Sequence, residues 1–237
     1  MNIYLDSFFT AFHLISQFDS DLYAILFLSM RVTMTALIIS ALIGLPLGTF
    51  LATNKFYGRT LIVSIVNSMM SLPPVVIGLL VYINLSRSGP FGWLGLLYTP
   101  TAMIIAQIIL IFPIITGLTY QIIEDKNDYY QDLFKSLVTP RHVAILAFIV
   151  DSRFSLLTAV LMGLARGISE VGAVIIVGGN IDHLTRVMTT TIALETSKGD
   201  LSLALALGII LLVIALLINF FASWQKQTAK RRNYEQY

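Results

Sequence analysis

Cysteine is absent from all 237 residues, which removes disulfides and thiolate metal sites in any compartment. Histidine is scarce, and His13, His142 and His183 lie far apart in the sequence, so no metal-ligand spacing is present and no cofactor is expected. Asp, Glu, Lys and Arg together make only 12% of the chain, against roughly a quarter in an ordinary soluble domain. No G-x-x-x-x-G-K-[ST] occurs anywhere, so nucleotide is not held through a P-loop here, and ATP-driven work would fall to another chain. There is also no internal sequence repeat of the kind secondary transporters carry. The formal net charge is only +2, and no nucleic-acid partner is expected.

What remains is apolar: 57% of the residues are hydrophobic. A hydrocarbon core of about 30 Å needs about 20 apolar residues in helix. Four runs free of Asp, Glu, Lys and Arg meet that length: Val32 to Asn54, Thr60 to Ser86, Ser88 to Ile123 and Leu201 to Gln225. A fifth, from about Ser155 to Gly178, is apolar except for Arg166 and Glu170. The composition therefore predicts an all-α polytopic membrane protein with five transmembrane helices, a single domain over residues 1–237.

The positive-inside rule orients it. With the amino terminus outside, ten of the fifteen Lys and Arg fall in inside segments, Arg87, Arg186 and Lys198 fall outside, and Arg31 and Arg166 lie within spans. The reverse topology puts only three inside. Residues 226–237 then form a cytoplasmic tail. Residues 1–20 lie on the outer side, where Leu5, Phe8, Phe9, Phe12 and Ile15 recur at helical spacing, as in a helix resting in the interface; a frayed or buried short helix is the alternative. The first residues carry Asp6 and no Lys or Arg, the wrong sign for a signal-peptide n-region, so this segment is expected to stay attached.

Between the third and fourth spans, residues 124–154 are dense in charge and far longer than a turn requires. Thr139 before Pro140 reads as an N-cap with proline at the first helical position, so one helix is expected to end near Val138 and another to start at Pro140. Leu133, Phe134 and Leu137 share a face of the first; Val143, Leu146, Ala147 and Val150 share a face of the second. Two helices resting on the membrane beside a solvated loop fit this periodicity equally well.

A charge at the centre of a span costs about 2.5 to 3.5 kcal/mol on the insertion scale, so Arg31, Arg166 and Glu170 are expected to face protein or water. Arg166 and Glu170 stand four apart, but arginine on the amino-terminal side opposes the macrodipole within one helix. Counting inward, Glu170 and Arg31 lie at similar depth, roughly 12 Å. Glu170 is therefore expected to bridge Arg31, Arg166 or both, leaving one surplus cation per chain. Two roles stay open for this group: an ionic pin between spans, or contact with a dianion.

Gly44 and Gly48 flank Pro46, and Gly163 stands four before Gly167, both spacings of close helix packing. Pro73 with Pro74, and Pro113, sit in apolar runs where they kink or break helix, which marks them as candidates for a path or gate. From Asn180 to Asp200 an apolar segment too short to span carries Thr189, Thr190 and Thr191. These hydroxyls either line a polar path or bond to backbone in a packed helix. Arg186 and His183 are candidates to meet an anion or a binding protein from outside.

The cytoplasmic segment resembles the loop of ABC-importer membrane subunits, E-A-A, three residues, G, nine residues, I, one residue, L-P. Asp132 takes the glutamate place, Leu133 and Phe134 the alanines, Val138 the glycine, Phe148 the isoleucine, and Val150 with Asp151 the final pair. Thr139 and Pro140 supply the bend that the glycine would ease. The stretches "SLPPVVIGLLVYINLSRSGPFGWLGLLYTPTAMIIAQ", "ARGISEVGAVIIVGGNI" and "TRVMTTTIALETSKGDLSLALALG" resemble the permeases of tungstate importers, relatives of the molybdate and sulfate permeases. The resemblance implies a homodimer in the bacterial cytoplasmic membrane, two cytoplasmic ATPase subunits, and an external oxyanion-binding protein that delivers the cargo. It implies that Asp128, Asp132, Leu133, Phe134, Leu137, Val138, Thr139, Pro140 and Arg141 seat in the ATPase as a coupling elbow. The expected function is inward movement of tungstate by alternating access, with no enzymatic activity in this chain. A molybdate or sulfate permease, a self-sufficient secondary transporter, and a membrane anchor are the alternatives.

Because the chain has no cysteine, orientation is directly testable. In Arg141→Cys an impermeant maleimide is expected to react only from the cytoplasmic side, and in Arg87→Cys only from the outside. Labelling of Arg141→Cys from the outside would refute the assigned topology.

Overall fold

A computed structural model describes residues 9, 10, 12, 13, 16, 20–136 and 139–234, without the side chains of 128, 131–135, 141, 142 and 221–234. The segment 1–20 thus lies mostly outside the described residues, Leu5, Phe8 and Ile15 among them. Within the description the protein is all-α: α1 Ser20–Thr53, α2 Arg59–Met69, α3 Pro74–Leu85, α4 Pro100–Ser136, α5 Arg141–Ile168, α6 Gly172–Gly178, α7 Met188–Lys198 and α8 Leu201–Tyr234. Four helices are long and apolar enough to cross a membrane, and a fifth span is counted if the broken pair α2 and α3 is one crossing.

The elements differ from the apolar runs wherever the backbone must be interrupted. The run from Thr60 stops at Met69 and resumes at Pro74. Pro73 is extended, with ψ 125°, as the residue before a proline prefers. Its carbonyl accepts the N–H groups of Val76 and Ile77 at 3.1 and 3.2 Å, and Pro74 opens α3 where a missing N–H costs nothing. The run from Ser88 begins as a loop with one 3-10 turn, Gly92–Leu94, and becomes helix only at Pro100. Pro46 and Pro113, by contrast, lie inside continuous helices. The expected fifth span, Ser155 to Gly178, is not one helix: it stops at Ile168 and restarts at Gly172.

The two helices expected around Thr139 and Pro140 are the ends of long helices. α4 runs without a break from Pro100 to Ser136, and α5 from Arg141 to Ile168. The start of α5 is fixed by the Pro140 carbonyl, which accepts the N–H groups of Val143 and Ala144 at 3.0 and 3.1 Å. Leu137 and Val138, on the expected elbow, lie outside the described residues.

The chain divides into two compact units, residues 1–36, 73–107 and 165–220 in the first and 37–72, 108–164 and 221–237 in the second. In the first, Leu22 of α1 packs with Met188 of α7 and Ala206, Leu207 and Ile210 of α8. α3 lies against α6 so closely that a Cβ on Gly78 would come 2.7 Å from Ala173 Cα. In the second, Ala52, Ile123, Phe148 and Leu156 form a buried cluster. Arg59 ties its elements together: Nε donates to the Leu51 carbonyl near the end of α1 at 2.7 Å, and Nη2 donates to Glu124 Oε1 at 2.6 Å. The guanidinium also lies over the Tyr120 ring, 5.3 Å from its centroid. Inside lipid, helices gain little from hydrophobicity against one another, so small residues that permit close approach carry much of the association.

Gly48 shows that constraint at its sharpest, since a Cβ there would lie 2.6 Å from the Thr116 carbonyl oxygen. Backbone cannot step aside as a side-chain tip can, so Gly48→Ala is expected to cost about 1 to 3 kcal/mol, read as a lowered melting temperature in detergent. Gly208 has open space around its Cβ position, and Gly208→Ala is expected to be neutral or stabilising by up to about 1 kcal/mol.

Candidate functional site

The interruption between α5 and α6 places a carboxylate where the two helix ends meet. As α5 ends, Ser169 Oγ donates to the Ala165 carbonyl at 2.9 Å and the Glu170 N–H to the Gly167 carbonyl at 3.3 Å. Glu170 is 3% exposed. Its Oε1 accepts the Ala173 N–H of α6 at 2.9 Å, and its Oε2 stands 3.4 Å from Arg166 Nη1. The break reverses the dipole argument made for one continuous helix. Arg166 occupies the last turn of α5, where a cation is favoured, and Glu170 the amino-terminal edge of α6, where an anion is favoured. Each charge therefore agrees with the helix end it touches, and the pair closes the gap between them.

A partly open cavity adjoins this joint, lined by groups that include Ser29, Thr33, Gln107, Gly167, Glu170 and Thr189, with Leu26, Val174, Leu211 and Ile214. Its polar groups are largely engaged with backbone. Gln107 Nε2 donates to the Gly167 carbonyl at 3.3 Å, Thr189 Oγ1 to the Glu170 carbonyl at 2.8 Å, and the Met188 N–H to Ser29 Oγ at 2.9 Å. Gln107 Oε1 is buried without a partner. The charge beside the cavity is a carboxylate, which repels an anion, and the bonds run between elements of the same unit. This geometry is that of a polar pin holding α1, α4, α6 and α7 around a helix break.

Arg31 does not join the pin. It is exposed and makes no ion pair or hydrogen bond through its guanidinium among the described residues. The reason is azimuth: Thr33 lines the cavity beside Glu170, and Arg31, two residues earlier, points about 200° away around α1.

The remaining candidates are placed as follows. Pro73 and Pro74 form the turn between α2 and α3. Asn180 adopts a left-handed backbone, φ 50°, and its Oδ1 lies 2.8 Å from Thr190 Oγ1. Thr191 Oγ1 donates to the Val187 carbonyl at 2.7 Å, and Thr190 Oγ1 accepts the Val187 N–H at 3.1 Å. The three threonine hydroxyls thus hold the start of α7 and the Glu170 backbone. Arg186 pairs with Asp182 at 2.7 Å, leaving its Nε buried and unpartnered, and His183 is exposed with φ 54°. Thr139 is half-buried and Pro140 exposed. The side chains of Asp128, Asp132, Leu133, Phe134 and Arg141 lie outside the description, as do Leu137 and Val138 altogether. No cluster of three metal-binding side chains forms among the described residues. Gln107, Ser29 and Thr33 were not among the expected site residues. Gln107 carried a readable signal, an amide within the apolar stretch Ile104 to Phe112, where an unpaired polar group is costly.

Comparison with known proteins adds the following. A family model described as binding-protein-dependent transport system inner membrane component matches residues 44–231. The tungstate uptake system permease protein TupB of Peptoclostridium acidaminophilum is 43% identical over 92% of this chain and 96% of its own. A probable anion ABC transporter permease protein of Haloferax volcanii is 36% identical over 90% of this chain and 94% of its own. TupB of Campylobacter jejuni is 38% identical over 73% of each. More distant matches include molybdenum and sulfate transport permeases at 25% and 26% identity.

Substitutions at Glu170 should separate its two bonds. Glu170→Gln keeps an oxygen acceptor for the Ala173 N–H and loses the charge, whereas Glu170→Ala loses both. The expected order of melting temperature in detergent is wild type, then Gln, then Ala, with the cap alone worth about 1 kcal/mol. Arg166→Gln should cost less in a Glu170→Gln background than in the wild type; strict additivity would show that the ion pair contributes nothing.

Proposed function

This chain belongs to the family of binding-protein-dependent transport system inner membrane components, and from that premise we propose that it carries tungstate inward as a homodimer by alternating access. Membership makes it a multi-pass inner-membrane permease subunit of an ABC importer for an oxyanion. It is not an enzyme, and it works with ATPase subunits and a substrate-binding protein supplied by other chains. The observation that carries tungstate over its congeners is identity: 43% to a tungstate permease across 92% of the chain, against about a quarter for the molybdenum and sulfate permeases.

The coupling surface follows from the same reading. The segment joining α4 to α5, with Asp128, Asp132, Leu133, Phe134, Leu137, Val138, Thr139, Pro140 and Arg141, grips the ATPase on the cytoplasmic side, and the amino terminus lies outside. Long unbroken helices on either side of the joint support this, because a displacement at a helix end moves the whole rod. Pro73 and Pro74, Asn180, Arg186 and the threonines at 189 to 191 belong to the outer gate region, the prolines by interrupting backbone and the others by fixing the loop before α7. In this reading the Arg166–Glu170 pin keeps a broken span assembled and does not touch the cargo.

Reconstitution tests both parts. With its ATPase and binding protein in proteoliposomes, the chain is expected to accumulate tungstate only when ATP and all partners are present, with molybdate and sulfate uptake at least about tenfold lower, a difference of about 1.4 kcal/mol. Accumulation by the chain alone would establish a secondary transporter, and equal uptake of molybdate would remove the tungstate assignment. Charged replacements at Phe134 and Leu137 are expected to abolish co-elution with the ATPase; survival of the complex would sink the coupling assignment.

A further inference from the structure

Arg31 is a cation in a span with no anion to meet it among the described residues. α1 buries Val32, Thr33, Ala36, Leu37 and Ser40 on one side. Arg31 stands on the opposite side in a stripe with Phe27, Ile38 and Leu42, which are 71%, 57% and 71% exposed. Arg166 is neutralised by Glu170. The remaining carboxylates described in the same unit are committed or distant. Asp182 holds Arg186 and Glu195 holds Lys198, Asp200 accepts the Leu203 N–H at the start of α8, and Asp21 lies ten residues back, about 15 Å along the helix.

A guanidinium keeps its charge even in apolar surroundings and offers planar, paired N–H donors that match the edge of a tetrahedral oxyanion. Large apolar neighbours on either side thin the water that would otherwise compete for those donors. Positive charge without a counter-charge on this face is the polarity that an anionic cargo requires and that the carboxylate-edged cavity on the other face lacks.

We propose that Arg31 is a contact for a tetrahedral oxyanion on the exposed face of α1. Its identification with the transported dianion rests on the importer reading above; the phosphate of a lipid headgroup has the same chemistry and is the second source. The guanidinium acts here as a transient partner on the route, and the external binding protein sets affinity, so loss of Arg31 should slow turnover without changing half-saturation.

The test reads Arg31 directly in the full-length chain. In dodecyl maltoside, phenylglyoxal modification of each arginine is followed by mass spectrometry at constant ionic strength, with Arg87, exposed in the loop after α3, as internal control. Millimolar tungstate is expected to slow modification of Arg31 at least threefold and leave Arg87 unchanged. Protection by phosphatidic acid but not by tungstate would assign the site to lipid phosphate. Protection by neither, or an Arg31 already unreactive because a second copy of the chain covers it, would overturn the proposal. In the reconstituted importer Arg31→Gln is expected to lower turnover about tenfold with half-saturation unchanged, and Arg31→Lys to recover most of it. Normal turnover in Arg31→Gln would exclude the cargo role. If the wild type moves no tungstate while Arg31 is still protected, the cargo assignment fails and the oxyanion site stands.

Discussion

A helix interrupted inside lipid exposes backbone groups that no water can satisfy, and the fold around α5 and α6 depends on how this chain meets that requirement. Glu170 supplies the acceptor for α6, and its other oxygen faces the arginine that closes α5. Thr189 then bonds the Glu170 carbonyl, and Gln107 bonds that of Gly167. Elements from four parts of the sequence are thereby fixed to a gap of three residues. Burying an ion pair is weak support for stability in general, because desolvation offsets much of the attraction. Here the carboxylate is retained by its hydrogen bond to backbone as well as by its charge.

Of the two roles open for the charged pair, this geometry supports the ionic pin. A carboxylate already bonded to a helix end and paired with an arginine offers an anion no donor of its own. Arg31, by contrast, is exposed and makes no ion pair among the described residues.

Much of the fold was legible in the sequence because length and polarity are one-dimensional properties. The uncharged runs located the membrane helices, and Thr139 with Pro140 located the start of α5 to within a residue. Pro73 and Pro74 announced their break, while Pro46 and Pro113 lie inside continuous helices, as packing by neighbouring helices permits. The break at Ser169 to Val171 has no proline, and its trace was indirect: an arginine preceding a glutamate in the order a continuous helix disfavours. Of the two partners open to Glu170, Arg166 is the one it meets; Arg31 was a candidate on depth alone, a measure blind to direction around the helix axis. Gln107 was passed over because its partner, the Gly167 carbonyl, belongs to backbone, and backbone has no letter of its own.

Gly48 meets the Thr116 carbonyl almost backbone to backbone, and Gly163 sets its Cβ position 3.0 Å from Ile111 and Ile115 on the same α4. Surfaces meshed this tightly leave little clearance for one helix to ratchet along another. Packing of this kind favours movement of these helices as one block, with any give left to its margins, like a door on its frame.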